Sequence, residues 1–272
     1  MITDDLNIIL DKPSNNILYT RSLLKEALQN YVLNFVYNDP DYKNLIFTGG
    51  TCLRKIYGLP RLSEDLDFDV TFKFDIEMFS SKVKKYFAEE LSYKEMMTKI
   101  SGNNKTVFLK FPVNIGNSPM LFVRCDFAVD AIGNYETEIN SISTGQFTIF
   151  TKAFDLPTLF ANKIAAFLQR NFFKGKEQAE SFKGRDLFDL VWFLEKSKKT
   201  EWELKPNWER LSKSLGKDKP EEIRKMLVSK VQRVNKTSVY NDLLPFIESN
   251  RSAESFSDNF CSMIVENIKF VL

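Results

Sequence analysis

The chain has 272 residues, of which 43% are hydrophobic and 27% are charged, and this composition predicts a globular protein with one large domain or two modest ones. Its 38 Lys and Arg residues nearly balance its 36 Asp and Glu residues, so the net charge of +2 excludes a bulk polycation but not a local basic groove. The sequence contains no histidine, which excludes Ser-His-Asp hydrolysis, Cys-His chemistry and histidine-based zinc sites.

The first part of the chain alternates between helical and strand patterns. Apolar residues at helical spacing predict a helix over 20–37, and the apolar run 45–48 predicts a short buried strand that leads into a glycine turn. Residues 51–57 predict a short helix that ends at Gly58. Strict alternation of acidic and apolar residues then predicts a strand over 62–72, and 76–97 is typical of an amphipathic helix or helix pair.

The pattern changes near Asp155. Before it, strands are predicted over 106–113, 120–129 and 145–151. After it, the patterns are helical, with a charged, glycine-flanked break over 174–184; the predicted helical stretches are 156–173, 185–197, 219–234 and 257–272. We therefore expect a mixed α/β domain over residues 1–152 and a helical bundle over residues 153–272.

Acidic residues alternate with apolar residues in the segment DLDFD. Alternate side chains of a strand share a face, so Asp65 and Asp67 should project side by side. Two adjacent carboxylates repel each other unless a cation joins them, and a hard ion such as Mg²⁺ prefers oxygen ligands. An acidic, solvated edge strand is the alternative interpretation. Asp69 extends the row and is predicted to be peripheral.

Two glycines, Gly49 and Gly50, stand between the short strand and the short helix. Such a turn lets the backbone approach a phosphate, the helix N-terminus offers free amides, and Thr51 adds a hydroxyl. The alternative is a tight strand-to-helix turn with no ligand.

A third acid, Asp126, interrupts a strongly apolar strand and shares a face with Arg124. A carboxylate buried there is unfavourable unless it is paired or bound to a metal, so an ion pair with Arg124 and a catalytic role are both open. A Gly-Gly turn, a DxD strand and a third strand aspartate together form the usual two-metal layout for nucleotidyl transfer. In that layout Asp126 is a third ligand or the base for the attacking hydroxyl.

Charged residues recur on the predicted helices of the second half. Lys163 and Arg170 are seven residues apart and are expected to share a helix face, while Asp186 opens the next helix. Lys163 is expected to hold phosphates and Asp186 to orient a cation; the alternative is a solvated lysine and an aspartate that stabilises a helix N-terminus. The basic stretches 174–183 and 224–233 are interpreted as helices lining a groove for RNA, or as ordinary solvated faces.

The three cysteines, Cys52, Cys125 and Cys261, form neither a CxxC pair nor a disulfide framework, which suits a reducing compartment. The N-terminal residues do not resemble a signal peptide, and no apolar run approaches the roughly 18 residues that a membrane helix needs. A soluble cytoplasmic protein is expected.

The motifs, in their order, resemble one known family. The patterns G-G-T-x-L-R and R-x-S-x-D-L-D-F span Gly49 to Phe68, a strand aspartate follows, and K-x-x-A and R-D-L-x-D-L span Lys163 to Leu190. This arrangement resembles the AbiEii/AbiGii family of nucleotidyltransferase-like toxins. The sequence has Gly50-Thr51 where the strict nucleotidyltransferase pattern has Gly-Ser, which keeps a hydroxyl.

The resemblance implies a fold and a set of site residues. The fold would be a DNA-polymerase-β-like nucleotidyltransferase domain, of the α/β (α+β) class, with a C-terminal helical bundle. The cofactor would be Mg²⁺, held by Asp65, Asp67 and Asp126, with Lys163 and Asp186 as further catalytic residues. The expected nucleotide-binding residues are Gly49, Gly50, Thr51, Arg61, Ser63, Lys163 and Arg170.

The resemblance also implies a function, namely the toxin half of a toxin–antitoxin pair that is linked to phage defence. Such an enzyme would transfer NMP from an NTP to an RNA acceptor, the 3′ end of tRNA, and so block translation. The expected partners are the NTP, the tRNA and a cognate antitoxin, with no membrane. The alternatives are transfer to a protein or small-molecule hydroxyl, and a catalytically silent nucleotide-binding module.

Overall fold

The computed structural model describes residues 2–12, 16–102, 105–170, 172–174, 178–180 and 182–272. The chain divides into two compact units, the first formed by Met1–Ala131 with Thr137–Ala153 and the second by Ile132–Glu136 with Phe154–Leu272. A short segment of the second unit thus interrupts the first unit in sequence. The division into functional domains at residues 152 and 153 stays a prediction.

The first unit is built around a mixed sheet. Its described elements, in chain order, are α1 (Ile2–Leu10), α2 (Ile17–Asn38), β1 (Ile46–Thr48), α3 (Gly49–Tyr57), β2 (Asp65–Asp69), α4 (Ile76–Glu89), β3 (Met97–Ser101), β4 (Thr106–Phe111), β5 (Leu121–Ala128), β6 (Thr137–Ser143) and β7 (Thr148–Phe154). The strands form a seven-stranded sheet in the order β3-β4-β5-β2-β1-β7-β6. The acidic strand β2 lies at its centre, antiparallel to β1 and parallel to β5.

One face of this sheet is buried and the other is open around β5, whose residues alternate between buried and accessible positions. On the buried face the ring of Phe68 stacks on those of Phe47 and Phe127, each at a centroid distance of 5.7 Å. Phe79 of α4 packs against Phe127 at 4.8 Å. Because side chains alternate along a strand, the acids of β2 and β5 point to the open face.

Helices α2 and α3 fix the segment that leads into the acidic strand. Gln29 of α2 is buried, and its Nε2 donates to the carbonyl oxygens of Ser63 and Glu64, both at 3.0 Å. Helix α3 ends as predicted at Gly58, which has a left-handed φ of 77° and donates its N–H to the carbonyl oxygen of Leu53. The segment between α3 and β2 is therefore held at both ends.

The described part of the second unit is helical apart from two short paired strands. Its described elements are α5 (Leu156–Gln169), β8 (Phe172–Lys174), β9 (Gln178–Glu180), α6 (Gly184–Lys199), α7 (Trp208–Leu215), α8 (Pro220–Val231), α9 (Lys236–Leu243), α10 (Asn250–Asn267) and a final 3-10 turn over Ile268–Phe270. In the described part of the chain, no helix combines the length and the apolar character that crossing a bilayer requires.

The expected order of a mixed α/β region followed by helices is present, but two boundaries were wrong. The helix predicted over 76–97 ends at Glu89 because Ser92 adopts a positive φ of 54°, and β3 follows. The strand predicted over 145–151 begins at Thr148 because Thr144 and Phe147 close a turn.

The basic stretch 174–183 was predicted to be helical, and this was also wrong. Of its described residues, 174 and 178–180 belong to the paired strands β8 and β9, and 182–183 lie in neither a helix nor a strand, while 175–177 and 181 lie outside the described residues. The other basic stretch, 224–233, lies largely on α8 as expected.

Candidate active site

Strand pairing brings three predicted site residues, Asp65, Asp67 and Asp126, onto the open face of the sheet as one acidic cluster. In the parallel pair of β2 and β5, Asp67 lies directly opposite Asp126, and Asp65 lies opposite Arg124. Neighbouring strands are about 4.8 Å apart, so these partners are adjacent. Burial raises the pKa of the Cys125 thiol, and the charges of all three acids raise it further, as expected for carboxylates around one segment of β5.

Arg124 supplies a cation to this acidic cluster. Its Nη2 lies 2.8 Å from Oδ2 of Asp126, and its Nε donates to Oδ1 at 3.0 Å. The hydroxyl of Thr106 donates to the same Oδ1 at 2.5 Å. Desolvation lowers the pKa of Arg124, but the charges of Asp126, Asp65 and Asp67 outweigh it and the net shift is upward. The ion pair between Arg124 and Asp126, which the sequence left as one of two options, is thus present. The charges of Asp65 and Asp67 also favour the charged guanidinium.

The glycine turn packs directly against Asp67. Gly49 has a φ of 79°, which favours glycine, and a Cβ there would lie only 2.0 Å from Oδ2 of Asp67. A Cβ on Gly50 would lie 2.9 Å from both Nη2 of Arg61 and Oγ of Ser63. The missing side chains therefore allow the N-terminus of α3 to approach the acidic cluster, with Arg61 and Ser63 beside it.

The predicted nucleotide-binding side chains around this turn are buried. Thr51 is fully buried, and its hydroxyl donates to the carbonyl oxygen of Asp65 at 2.5 Å. Arg61 is 2% exposed and donates from Nη1 to the carbonyl oxygen of Leu62 at 2.8 Å. Ser63 is buried as well. The Thr51 hydroxyl holds β2 in this structure, so its predicted contact with a phosphate would require that hydrogen bond to break.

The predicted cations of the second unit are paired with acids of α6. Nζ of Lys163 lies 2.7 Å from Oδ2 of the fully buried Asp189, and Nε of Arg170 lies 2.7 Å from Oδ2 of Asp186. The Lys163 pair joins α5 to α6, and the Arg170 pair joins the residue after α5 to α6. The prediction that Lys163 and Arg170 share a helix face was wrong, because α5 ends at Gln169 and Arg170 follows it in an extended conformation.

Sequence reasoning missed two supporting residues. Asp189 follows Asp186 by three residues, a spacing that puts both on one face of a helix, and the RDLFDL motif contains this signal. Lys25 of α2, whose Nζ lies 2.6 Å from Oε1 of Glu64, secures the residue just before β2. No local sequence pattern could have revealed Lys25, because its contact with Glu64 joins segments that are distant in the sequence.

The donor chemistry of the acidic cluster fits Mg²⁺. Its three members supply carboxylate oxygens, which this ion prefers, and their shared face already attracts the guanidinium of Arg124. Within the described ranges, no group of three or more Cys, Asp or Glu side chains is arranged to hold a metal ion. The oxygens of Asp126 are turned towards Arg124 and Thr106 instead. A metal ion would therefore compete with Arg124 for Asp126.

Comparison with sequence families identifies the chain. Residues 34–259, most of its length, match the family described as nucleotidyl transferase AbiEii toxin of the type IV toxin–antitoxin system. The chain belongs to this family. It is therefore a nucleotidyltransferase toxin, and the resemblance and enzyme class expected from the motifs are confirmed. The matched region includes the acidic cluster, the glycine turn and both ion pairs of α5 and α6.

Two solved structures that resemble this AbiEii family member are MenT4 and JHP933. MenT4, a nucleotidyltransferase toxin from Mycobacterium tuberculosis H37Rv, is 14% identical with a TM-score of 0.57 over 99% of this chain and 92% of that chain. JHP933 from Helicobacter pylori is 17% identical with a TM-score of 0.49 over 92% of this chain and 94% of that chain. No curated protein matches the sequence significantly. With the family match, the likeness to MenT4 confirms the expected nucleotidyltransferase fold class.

Proposed function

We propose that this toxin transfers an NMP from an NTP to the 3′ end of a tRNA in a Mg²⁺-dependent reaction that blocks translation. The observation that carries the proposal is the acidic cluster, in which Asp67 is opposite Asp126 and the Gly49 turn lies against Asp67. Converging carboxylates beside a helix N-terminus are what a site for metal and triphosphate requires. Family membership further supports a cognate antitoxin, a role in phage defence and action in the cytoplasm.

The acidic cluster would provide the metal ligands and the base. Asp65 and Asp67 would hold Mg²⁺, which when bound would neutralise charge on the triphosphate and lower the pKa of the attacking hydroxyl. Asp126 would be a third ligand, or it would accept the proton of that hydroxyl. For the second role its carboxylate has to exchange a hydrogen bond from Arg124 or Thr106 for one from the acceptor.

Residues around the glycine turn would bind the nucleotide. The amides of the N-terminus of α3, at Gly49 and Gly50, would face the phosphates, since neither glycine has a side chain of its own between the backbone and the ligand. Thr51, Arg61 and Ser63 are proposed to support that binding from their buried positions next to the turn.

Two cations of the second unit are proposed to neutralise the triphosphate as pyrophosphate leaves. These are Lys163, which Asp189 holds, and Arg170, which Asp186 holds. Asp189 and Asp186 would then be positioning residues, because each contacts a cation in this structure.

Labelled substrates separate the candidate functions. The toxin is incubated with total tRNA and each α-³²P-labelled NTP in turn, with Mg²⁺ and then with EDTA in its place. Label on tRNA that requires Mg²⁺ supports the proposal. Label on protein or on a small molecule would indicate a different acceptor, and NTP binding without transfer would indicate a silent module. An Asp65→Ala variant that kept full transfer would contradict the metal assignment.

A further inference from the structure

A row of aromatic and basic side chains extends from the acidic cluster across the open face of the sheet. Strand pairing sets Met97 opposite Lys110 and Lys99 opposite Phe108, then Lys110 opposite Phe122 and Phe108 opposite Arg124. Arg124 in turn lies opposite Asp65. Residues in register share a face. The six residues that form this aromatic-basic strip are Met97, Lys99, Phe108, Lys110, Phe122 and Arg124.

The strip faces solvent although half of it is apolar. Phe122 is 40% exposed and Met97 is 47% exposed, while Phe108 is half-buried. The residues that alternate with them, such as Leu109 and Val123, are fully buried on the other face. The strands are therefore anchored by their buried face, and exposed aromatic rings on the open face contribute little to the core.

Aromatic rings interleaved with cations are the chemistry that binds single-stranded nucleic acid. Bases stack on exposed rings regardless of sequence, and Lys and Arg neutralise the phosphates between them. On the strip, Phe108 and Phe122 alternate with three cations, and the row ends at the acidic cluster. Phe122 is four residues from Asp126 along β5, about 13 Å, which is the reach of a few nucleotides.

We propose that the aromatic-basic strip binds the single-stranded end of the acceptor nucleic acid and directs its terminal hydroxyl to the acidic cluster. The assignment of the bound strand as the acceptor rests on the proposed function; the binding itself does not. A protein ligand such as the antitoxin would also contact exposed aromatic rings, but the alternating cations favour a strand that carries one phosphate per base.

Two double variants test the strip. Phe108→Ala with Phe122→Ala removes the rings, and Lys99→Ala with Lys110→Ala removes two charges without touching Arg124. The matched control combines Phe150→Ala on β7, where the ring is 67% exposed, with Lys84→Ala, an exposed lysine on α4. Equal melting temperatures establish that all of the variants are folded.

Fluorescence anisotropy with a labelled short single-stranded RNA gives the binding constants. Loss of the rings should weaken binding by about tenfold or more at every salt concentration, since each stacked base contributes substantially. Loss of the two lysines should reduce the slope of log K against log salt by about 1.4. The control should bind like the wild type, and the RNA annealed into a duplex should bind more weakly because its bases are already stacked.

Transfer assays then separate this inference from the proposed function. The ring variant should raise the KM for RNA and leave the KM for NTP unchanged. Wild-type RNA affinity in both double variants would overturn the proposal that the strip binds RNA, whether or not antitoxin binding is lost. If the wild type binds RNA through the strip but labels no RNA, the proposed function fails and the binding site stands. If all variants label RNA equally, the proposed function is supported and the proposed role of the strip is contradicted.

Discussion

Each unit of the chain contains aspartates among or beside the predicted site residues, but the environments of these aspartates differ. In the first unit, Asp65, Asp67 and Asp126 share an open sheet face, and the charges of all three act on Arg124. In the second unit, the side chains of Asp189 and Asp186 are 0% and 6% exposed, and each faces one cation at 2.7 Å. A buried pair stays fixed because separating it exposes an uncompensated charge. The acids of the first unit are instead half-buried on a shared face, so a ligand can reach them from solvent.

Because of this difference, residues that belong to one sequence motif pattern are expected to have separate roles. We infer that the acidic cluster performs the chemistry, whereas the acids of α6 set the position of Lys163 and Arg170. Variants of the first unit should therefore lose rate without losing stability. Variants of the second unit should lose stability first.

The largest effect is expected for Asp67→Asn, which removes a charge from the acidic cluster without changing its shape. Transfer of labelled NMP should fall on the order of a thousandfold, because charge stabilisation in a preorganised site dominates such reactions. The thermal unfolding midpoint should stay near that of the wild type.

Asp69→Asn is the matched control for this prediction. Asp69 lies two residues further along the same face, opposite Ala128, and is 8% exposed. Its amide variant should keep the transfer rate within about tenfold of the wild type. Equal losses in both variants would contradict the division of the DLDFD segment into reactive and peripheral acids.

The second prediction concerns the buried pair of Lys163 and Asp189. Asp189→Ala should lower the free energy of unfolding by about 3 kcal/mol, because it leaves a largely buried ammonium without its partner. Lys163→Met combined with Asp189→Leu should restore most of that stability, since apolar groups of similar volume replace buried pairs well. Urea unfolding measures both.

The same double variant tests the role of Lys163 in the reaction. We expect it to be stable and yet slow in transfer, because the cation proposed to face the triphosphate is gone. A stable double variant with wild-type kcat and wild-type KM for NTP would show that the pair serves only to join α5 to α6.

The third prediction tests whether Arg124 competes with a metal ion. Arg124→Ala should tighten the binding of Mn²⁺, an ion with similar ligand preferences, by about tenfold, since Asp126 loses charge-assisted hydrogen bonds to the guanidinium. Electron paramagnetic resonance of free Mn²⁺ measures this without any reaction. Lys110→Ala is the control, because it removes a charge from the same face one strand away. Unchanged or weaker Mn²⁺ binding by Arg124→Ala would exclude the competition.

Local patterns predicted the parts of the site that lie within one element. The alternation in β2, the left-handed turn at Gly58 and the shared face of Arg124 and Asp126 all follow from strand or helix periodicity. The register that puts Asp67 opposite Asp126 does not, because it joins segments that are far apart in the sequence. The sequence thus predicted which acids to consider but not how they meet.

Elements without a marked apolar pattern were also missed. Strand β6 has one buried residue, Ile142, while its other large apolar residue, Ile139, is 68% exposed. Strand β3 has no buried residue at all. Such strands are defined by hydrogen bonds to a neighbour rather than by burial, so the period of two that reveals β5 is absent from their sequences.

The smallest predicted effect concerns Lys55, a half-buried lysine of the first unit that contrasts with Lys163. Its Nζ donates to Oδ1 of Asn30 at 2.6 Å and to the carbonyl oxygen of Glu26 at 3.3 Å, whereas Lys163 faces a carboxylate. Burial, aided by the charge of Arg54 and opposed by that of Glu26, lowers the pKa of Lys55 from 10.5 to about 8. The folded state therefore favours the neutral amine.

The sign of the pH dependence follows from this shift. Between pH 8 and 10.5 the unfolded chain binds the Lys55 proton more strongly than the folded chain, so the contribution of Lys55 to stability rises with pH across that window. The difference in unfolding free energy between the wild type and Lys55→Met should shift in favour of the wild type by about 1 kcal/mol from pH about 8 to about 9. Tyrosine and cysteine titrations cancel in this difference, because both proteins contain them. A difference that did not change with pH would mean that Lys55 stays charged in the folded state, as a lysine paired with a carboxylate would.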